Sequence, residues 1–203
     1  MQLKNYAETA ERCQRNFDLS EPIPQADIDY ITSVCTTMPT KNNRVHYRLI
    51  IINDIQLTKR IYTESAFTQG DKKRREVPNQ YRNGQVYSPL LLLWDASVRN
   101  KFNQETYEDM LVSIGISSGA AALAAAELGY KTGFCACFQG KILGKLLKKH
   151  FQQPLDLDIQ LMLGIGMPNN NFQRTESVVD NKVVYNSLSS NKIVPILQKK
   201  LTK

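Results

Sequence analysis

Metal ligands are scarce in this sequence. The 203-residue chain has two histidines, His46 and His150, far apart in sequence, and four cysteines, Cys13, Cys35, Cys135 and Cys137. Cys135-Ala136-Cys137 is too tight for the common zinc knuckle, and no second cysteine pair completes four ligands, so no metal site is expected. Nor do the thiols form a disulfide framework. A chain this long buries about 70% of its unfolded surface and does not need staples. Buried or half-buried free thiols are the reading. No secretory leader is recognised, because Met1-Gln2-Leu3-Lys4-Asn5 opens into polar, helix-compatible sequence, and a cytoplasmic, reducing location is expected. Ten glycines and eight prolines exclude collagen-like and linker-like chains. There is no internal repeat, Gly-x-Ser-x-Gly elbow, Walker loop or helical His-Glu zinc frame. Gly164-Ile165-Gly166 is not a dinucleotide fingerprint, since a proline follows it closely and no helix does. If this is an enzyme, a bound cofactor should carry the reaction.

What is present is an ordinary core. Hydrophobic residues make up 42% and charged residues 22%, as in soluble globular proteins, and residues 1–203 are expected to form a single domain. The net charge of +7 permits a nucleic-acid, membrane or phosphate-bearing partner without demanding one. Apolar spacing predicts a helix over 2–16 and, after Pro22-Ile23-Pro24, a second over about 24–36 with Ile28, Ile31, Val34 and Cys35 on one face. Tyr47 to Ile52 reads as a buried strand, followed by a helix over about 55–66. The polar, basic stretch 68–85 reads as a loop. Leu90 to Trp94 reads as a second buried strand.

Tyr107 to Gly129 reads as one helix, rich in alanine, serine and glycine. Its length approaches a membrane span, but its residues are only weakly hydrophobic and no aromatic belt or positive flank accompanies it. A central buried helix fits better. Residues 132–138 read as strand and turn, about 139–150 as a basic helix, and Asp158 to Met167 as a fourth strand. The tail from Val178 reads as an extended arm and a short helix. Four strands among at least five helices make an α+β or α/β sandwich. So apolar a helix in so small a chain also suggests burial by a second copy.

Three places could bind a ligand. Arg12 and Arg15 are three apart near the end of the first predicted helix, so they would share a side and could grip one phosphate. Two solvated arginines pairing with Glu8 or Glu11 would look the same. Thr40, Lys41, Asn42 and Asn43 are a run of donors before a strand, suited to the polar edge of a heterocycle or to an ordinary turn. Gly133 to Cys137 are small residues whose backbone N–H groups could face a flat ring.

In this order the three places resemble the FMN-dependent nitroreductase family. That family's opening Arg-Arg-Ser-x-Arg-x-Phe-like motif is similar to Glu11-Arg12-Cys13-Gln14-Arg15-Asn16-Phe17. Its Pro-Ser-x-x-Asn is similar to Pro39-Thr40-Lys41-Asn42-Asn43. Its small-residue central helix resembles the 114–129 stretch, and its last core strand resembles Leu163 to Pro168. The resemblance implies an α+β three-layer sandwich, with a central, mostly antiparallel sheet flanked by helices and a domain-swapped C-terminal arm. It also implies a homodimer with FMN at the subunit interface.

On the resemblance, Arg12, Cys13 and Arg15 hold the FMN phosphate and ribityl end, with Arg174 a candidate second phosphate ligand. Thr40, Lys41 and Asn43 reach FMN from the partner subunit, Lys41 placing positive charge near flavin N1. Cys135, Ala136 or Cys137 offers a backbone N–H to flavin N5. The implied activity is ping-pong hydride transfer from NADH or NADPH to nitroaromatic, quinone or enone acceptors. No side chain acts as an obligatory acid or nucleophile. The chain departs from the pattern at Glu11, at Cys13 in place of serine, and at Val45-His46-Tyr47. Two other readings stand beside this one. One is a flavin-binding relative without turnover. The other is a basic nucleic-acid-binding protein using Lys72 to Arg75 and the lysines of 141–149; an exposed helix side explains those lysines more simply. No membrane partner is expected.

Overall fold

The computed structural model describes residues 2–10, 13–66, 84–96, 104–152 and 157–169. They belong to a compact unit spanning Met1–Phe172. Arg12, Arg174, the basic run 72–75 and the C-terminal arm lie outside the described residues.

The elements run α1 (Gln2–Ala10), α2 (Gln25–Thr37), a 3-10 turn (Lys41–Asn43), β1 (Arg48–Ile52), α3 (Ile55–Arg60) continuing into a π turn (Ile61–Ser65), and a 3-10 turn (Gly84–Val86). Then come β2 (Leu90–Asp95), α4 (Gln104–Glu127), β3 (Lys131–Cys135), α5 (Gly140–Phe151) and β4 (Ile159–Gly166). The four strands form one sheet in the order β1-β2-β4-β3, and every pairing is antiparallel.

β2 is central, and all six of its residues are buried. That explains its unbroken apolar run, because neither face meets water. Alternate residues serve opposite layers. Leu90, Leu92 and Trp94 pack with Leu163 and Ile165 against α2 and α4. Leu91 and Leu93 pack with Met162 and Cys135 against α3 and α5. The result is a helix–sheet–helix sandwich of the expected α+β kind.

Two expectations are corrected. Among the described residues β1 is an edge strand rather than a buried one. Ile52 is covered, but Ile51 is 43% exposed. The first helix is described only to Ala10, and residues 13–16 are not helical. Long-range pairing accounts for this. Gln14 N–H donates to Thr132 O on β3 at 2.7 Å, Asp18 N–H donates to Met167 O at 2.8 Å, and Phe17 bridges Pro168. Arg15 therefore does not stand on the helical face expected for it.

α4 passes through the α2 side of the sandwich. Trp94 Nε1–H donates to Ser117 Oγ at 3.0 Å, and that hydroxyl donates to Cys35 O at 3.0 Å. Its stretch Thr106–Glu127 is long and apolar enough to cross a membrane, yet more than half of its most apolar window is buried within the protein. A central core helix is what the small-residue composition predicts.

Candidate functional site

β3 forms the floor of the site. Its residues alternate between layers: Thr132 and Phe134 stand opposite Ile165 and Leu163, which face α4, whereas Gly133 stands opposite Gly164. Gly133 has no side chain because two backbone crossings leave no room for one. A Cβ there would come within 3.0 Å of the Gln14 carbonyl and at 3.0 Å of Gln85 Cγ. Gly164 is crossed in the same way by the Gln85 carbonyl, and Gly84 by the carbonyl of Arg15. Three glycines thus let the segments 13–17 and 84–88 lie directly on the sheet, which places Arg15 at the end of β3.

Arg15 is half-buried, and its Nε is buried without a hydrogen-bond partner. Among the described residues no carboxylate pairs with it. Buried cations are normally paired, because an uncompensated charge away from water is costly. This guanidinium is therefore suited to an anion supplied from outside the chain, and a phosphate fits its donor geometry. Cys13 lies beside it, with Sγ directed at Phe134 O at 3.7 Å. Cys135 is buried, its thiol donating to Cys137 O at 3.7 Å. Burial pushes the Cys135 thiol up to about 12; a backbone hydrogen bond with Cys137 and the charge of Arg15 oppose the rise, and the neighbouring Cys137 and Cys13 thiols add to it. It is a neutral packing group at physiological pH. All four cysteines are free thiols, two buried and two half-buried, as expected. Ala136 is exposed and Cys137 half-buried just past the strand. Arg15, Cys13, Cys135, Ala136 and Cys137 are therefore brought to one place.

Thr40, Lys41 and Asn43 are held by a different element. Lys41 N–H donates to Ser113 Oγ on α4 at 2.9 Å, and Asn42 Nδ2 donates to Asp109 on the same helix. The loop adopts left-handed conformations at Asn42 (φ 58) and Asn43 (φ 53), which asparagine tolerates better than most residues.

Sequence reasoning missed Gln85. It is buried, its Oε1 has no partner, and it lies across Gly133. Nothing in its neighbourhood flags it, because its place depends on a crossing of segments about 50 residues apart in sequence.

The sequence profile of the nitroreductase family matches residues 10–167. No curated protein matches the sequence. Among solved structures the chain is similar to a nitroreductase family protein from Clostridium novyi NT, with 17% identity over 84% of this chain and 87% of that one and a TM-score of 0.65. It is also similar to a nitroreductase with bound FMN from Desulfitobacterium hafniense DCB-2, with 19% identity over 89% and 96% and a TM-score of 0.61. A third is an FMN-dependent nitroreductase from Mycobacterium smegmatis in complex with NADPH, with 10% identity over 84% and 89% and a TM-score of 0.62. At these identities the structural likeness is one of fold. The profile spans most of the sequence from the end of α1 through β4, and the chain belongs to the nitroreductase family.

Proposed function

We propose that this protein is a cytoplasmic, homodimeric, FMN-dependent NAD(P)H oxidoreductase with a ping-pong mechanism and nitroaromatic, quinone or enone acceptors. The observation that carries the reading is the half-buried Arg15 guanidinium, whose Nε is unpartnered, at the end of β3 in a chain of this family. FMN, when bound, would supply the hydride chemistry, accepting from a nicotinamide and donating to the second substrate. The chain's own residues bind and orient. Arg15, with Arg12 and Arg174, would hold the phosphate, and Cys13 the adjoining ribityl end. The backbone of Cys135 to Cys137 would offer its N–H donors to the ring. Gly133 and Gly164 let the binding segments approach the sheet. Cys135, neutral and buried, packs beneath the site rather than reacting.

The dimer is supported by α4. Leu111, Val112 and Ile116 lie on one side of it and are exposed, Val112 by 51%. Nothing lies within 4 Å of where a Cβ on Gly115 or Gly119 would stand. An uncovered apolar stripe with two glycines suits close packing of a second copy. Thr40, Lys41 and Asn43, anchored beside this stripe on Ser113, would then reach FMN across the interface. Replacing Val112→Asp together with Ile116→Asp should give a monomer by light scattering with weakened FMN binding. A dimer that persists would remove the α4 interface.

The activity is tested by steady-state NADH and NADPH oxidation with menadione and with a nitroaromatic. Turnover that requires FMN is expected. Tight FMN binding with no turnover for any acceptor would favour the flavin-binding relative without activity.

A further inference from the structure

Asn42 is not among the residues assigned to FMN, and the structure gives it another task. Two successive non-glycine residues, Asn42 and Asn43, are left-handed. Such residues persist only where the surroundings hold them. Within the loop, Asn43 N–H donates to Thr40 O at 3.0 Å and Arg44 N–H to Lys41 O at 3.3 Å. The external restraint comes from one turn of α4. Ser113 Oγ, on a residue only 1% exposed, accepts from Lys41 N–H at 2.9 Å while donating to the carbonyl of Asp109 at 2.9 Å. Its proton is thereby committed to the helix, so its lone pair faces the loop. The Asp109 carboxylate accepts from Asn42 Nδ2. Among the described residues the side chains of Thr40, Lys41 and Asn43 make no hydrogen bond.

We infer that Ser113 and Asp109 are positioning residues. They clasp the loop by the Lys41 backbone and the Asn42 side chain, and so preset Thr40, Lys41 and Asn43 for the flavin. This rests on the proposed function, in which those three side chains reach FMN. The clasp also ties flavin binding to α4, the helix whose other residues form the proposed dimer stripe. Binding residues held in their bound geometry avoid an ordering cost when ligand arrives.

The test is FMN titration of the apoprotein, followed by quenching of flavin fluorescence, for Asn43→Ala, Lys41→Ala, Ser113→Ala, Asp109→Ala and Asp109→Asn. Asn43→Ala and Lys41→Ala should weaken FMN binding. Ser113→Ala and Asp109→Ala should each raise Kd roughly fivefold, the size of one lost hydrogen bond. Asp109→Asn, which keeps an acceptor for Asn42, should restore most of the affinity. In a variant carrying Thr40→Ala, Lys41→Ala and Asn43→Ala together, Ser113→Ala should cost little more, because the side chains it positions are gone.

If Asn43→Ala raises Kd while both α4 variants bind as the parent does, the positioning role is refuted and the flavin reading stands. A full Ser113→Ala effect in the background lacking all three side chains refutes it too. If Asn43→Ala and Lys41→Ala both leave Kd unchanged, the loop is not in the site, and the placement of these residues at FMN falls with the inference. Asp109 is half-buried on the helix surface, so its variants answer the question even where Ser113→Ala fails to fold.

Discussion

Gly133→Ala should damage both stability and flavin binding, although it adds a single methyl group. The methyl would stand within 3.0 Å of the Gln14 carbonyl and 3.0 Å from Gln85 Cγ. Ordinary van der Waals contact begins near 3.4 Å, and a main-chain carbonyl cannot swing away as a side chain can. The 13–17 segment must lift, which strains or breaks the 2.7 Å bond from Gln14 N–H to Thr132 O. Overpacking of this kind costs about 1–3 kcal/mol, and the lost bond adds about 1 kcal/mol. The total is roughly 2–4 kcal/mol, within what a domain of ordinary stability survives. The displaced residue next in sequence is Arg15, so FMN affinity should fall by about tenfold or more, some 1.4 kcal/mol. Urea unfolding of the apoprotein measures the first effect and FMN titration the second. Gly144→Ala on α5 is the control: nothing lies within 4 Å of its Cβ position, and alanine should stabilise the helix by up to about 1 kcal/mol. A Gly133→Ala protein with parental stability and FMN affinity would refute the crossing of these segments.

Arg12→Ala combined with Arg15→Ala should weaken FMN binding at least tenfold, about 1.4 kcal/mol; unchanged retention would remove the phosphate assignment. Asp95 is fully buried. It accepts from Arg48 Nη2 at 2.6 Å and Nε at 2.9 Å, and from Asp158 N–H at 2.7 Å. Asp95→Ala should therefore destabilise the protein by about 3 kcal/mol in chemical denaturation, with a loss under 1 kcal/mol contradicting the clip between β1, β2 and β4. Stability should also fall as pH rises from about 9 to about 12. Cys135, raised mainly by burial, and Tyr130, raised by burial and by its 2.6 Å bond to Asp27, both keep their protons in the folded state to about 12. The unfolded chain releases them at ordinary values near 9.0 and 10.0. Their contribution is thus complete below pH 9 and declines above it. Cys135→Ala with Tyr130→Phe should flatten that decline, and an unaltered slope would count against it.

Much of the architecture was legible because burial leaves marks in local sequence. Leu90 to Trp94 and Leu161 to Gly166 are continuous runs without a polar side chain, as strands covered on both faces must be. Pro24 stands at the start of α2 and Ile28, Ile31 and Cys35 form its covered side. What was not legible depends on pairing at a distance. β1 resembled a covered strand because its edge position is set by strand order, which no local pattern records. The apolar spacing carries a helix through Arg15, because nothing in residues 11–17 announces that Thr132 captures Gln14. Thr40, Lys41 and Asn43 were recognised as donors, but their anchorage on Ser113 and Asp109 spans about 70 residues of sequence. Gln85 was invisible for the same reason.

The most direct test of the central claim, that this chain binds FMN through the Arg15 end of β3, is the visible absorption spectrum of the purified protein before and after FMN is added and excess flavin removed. The account predicts a yellow protein whose flavin band persists through gel filtration and bleaches anaerobically on addition of NADH or NADPH. A protein that stays colourless and retains no FMN would contradict it.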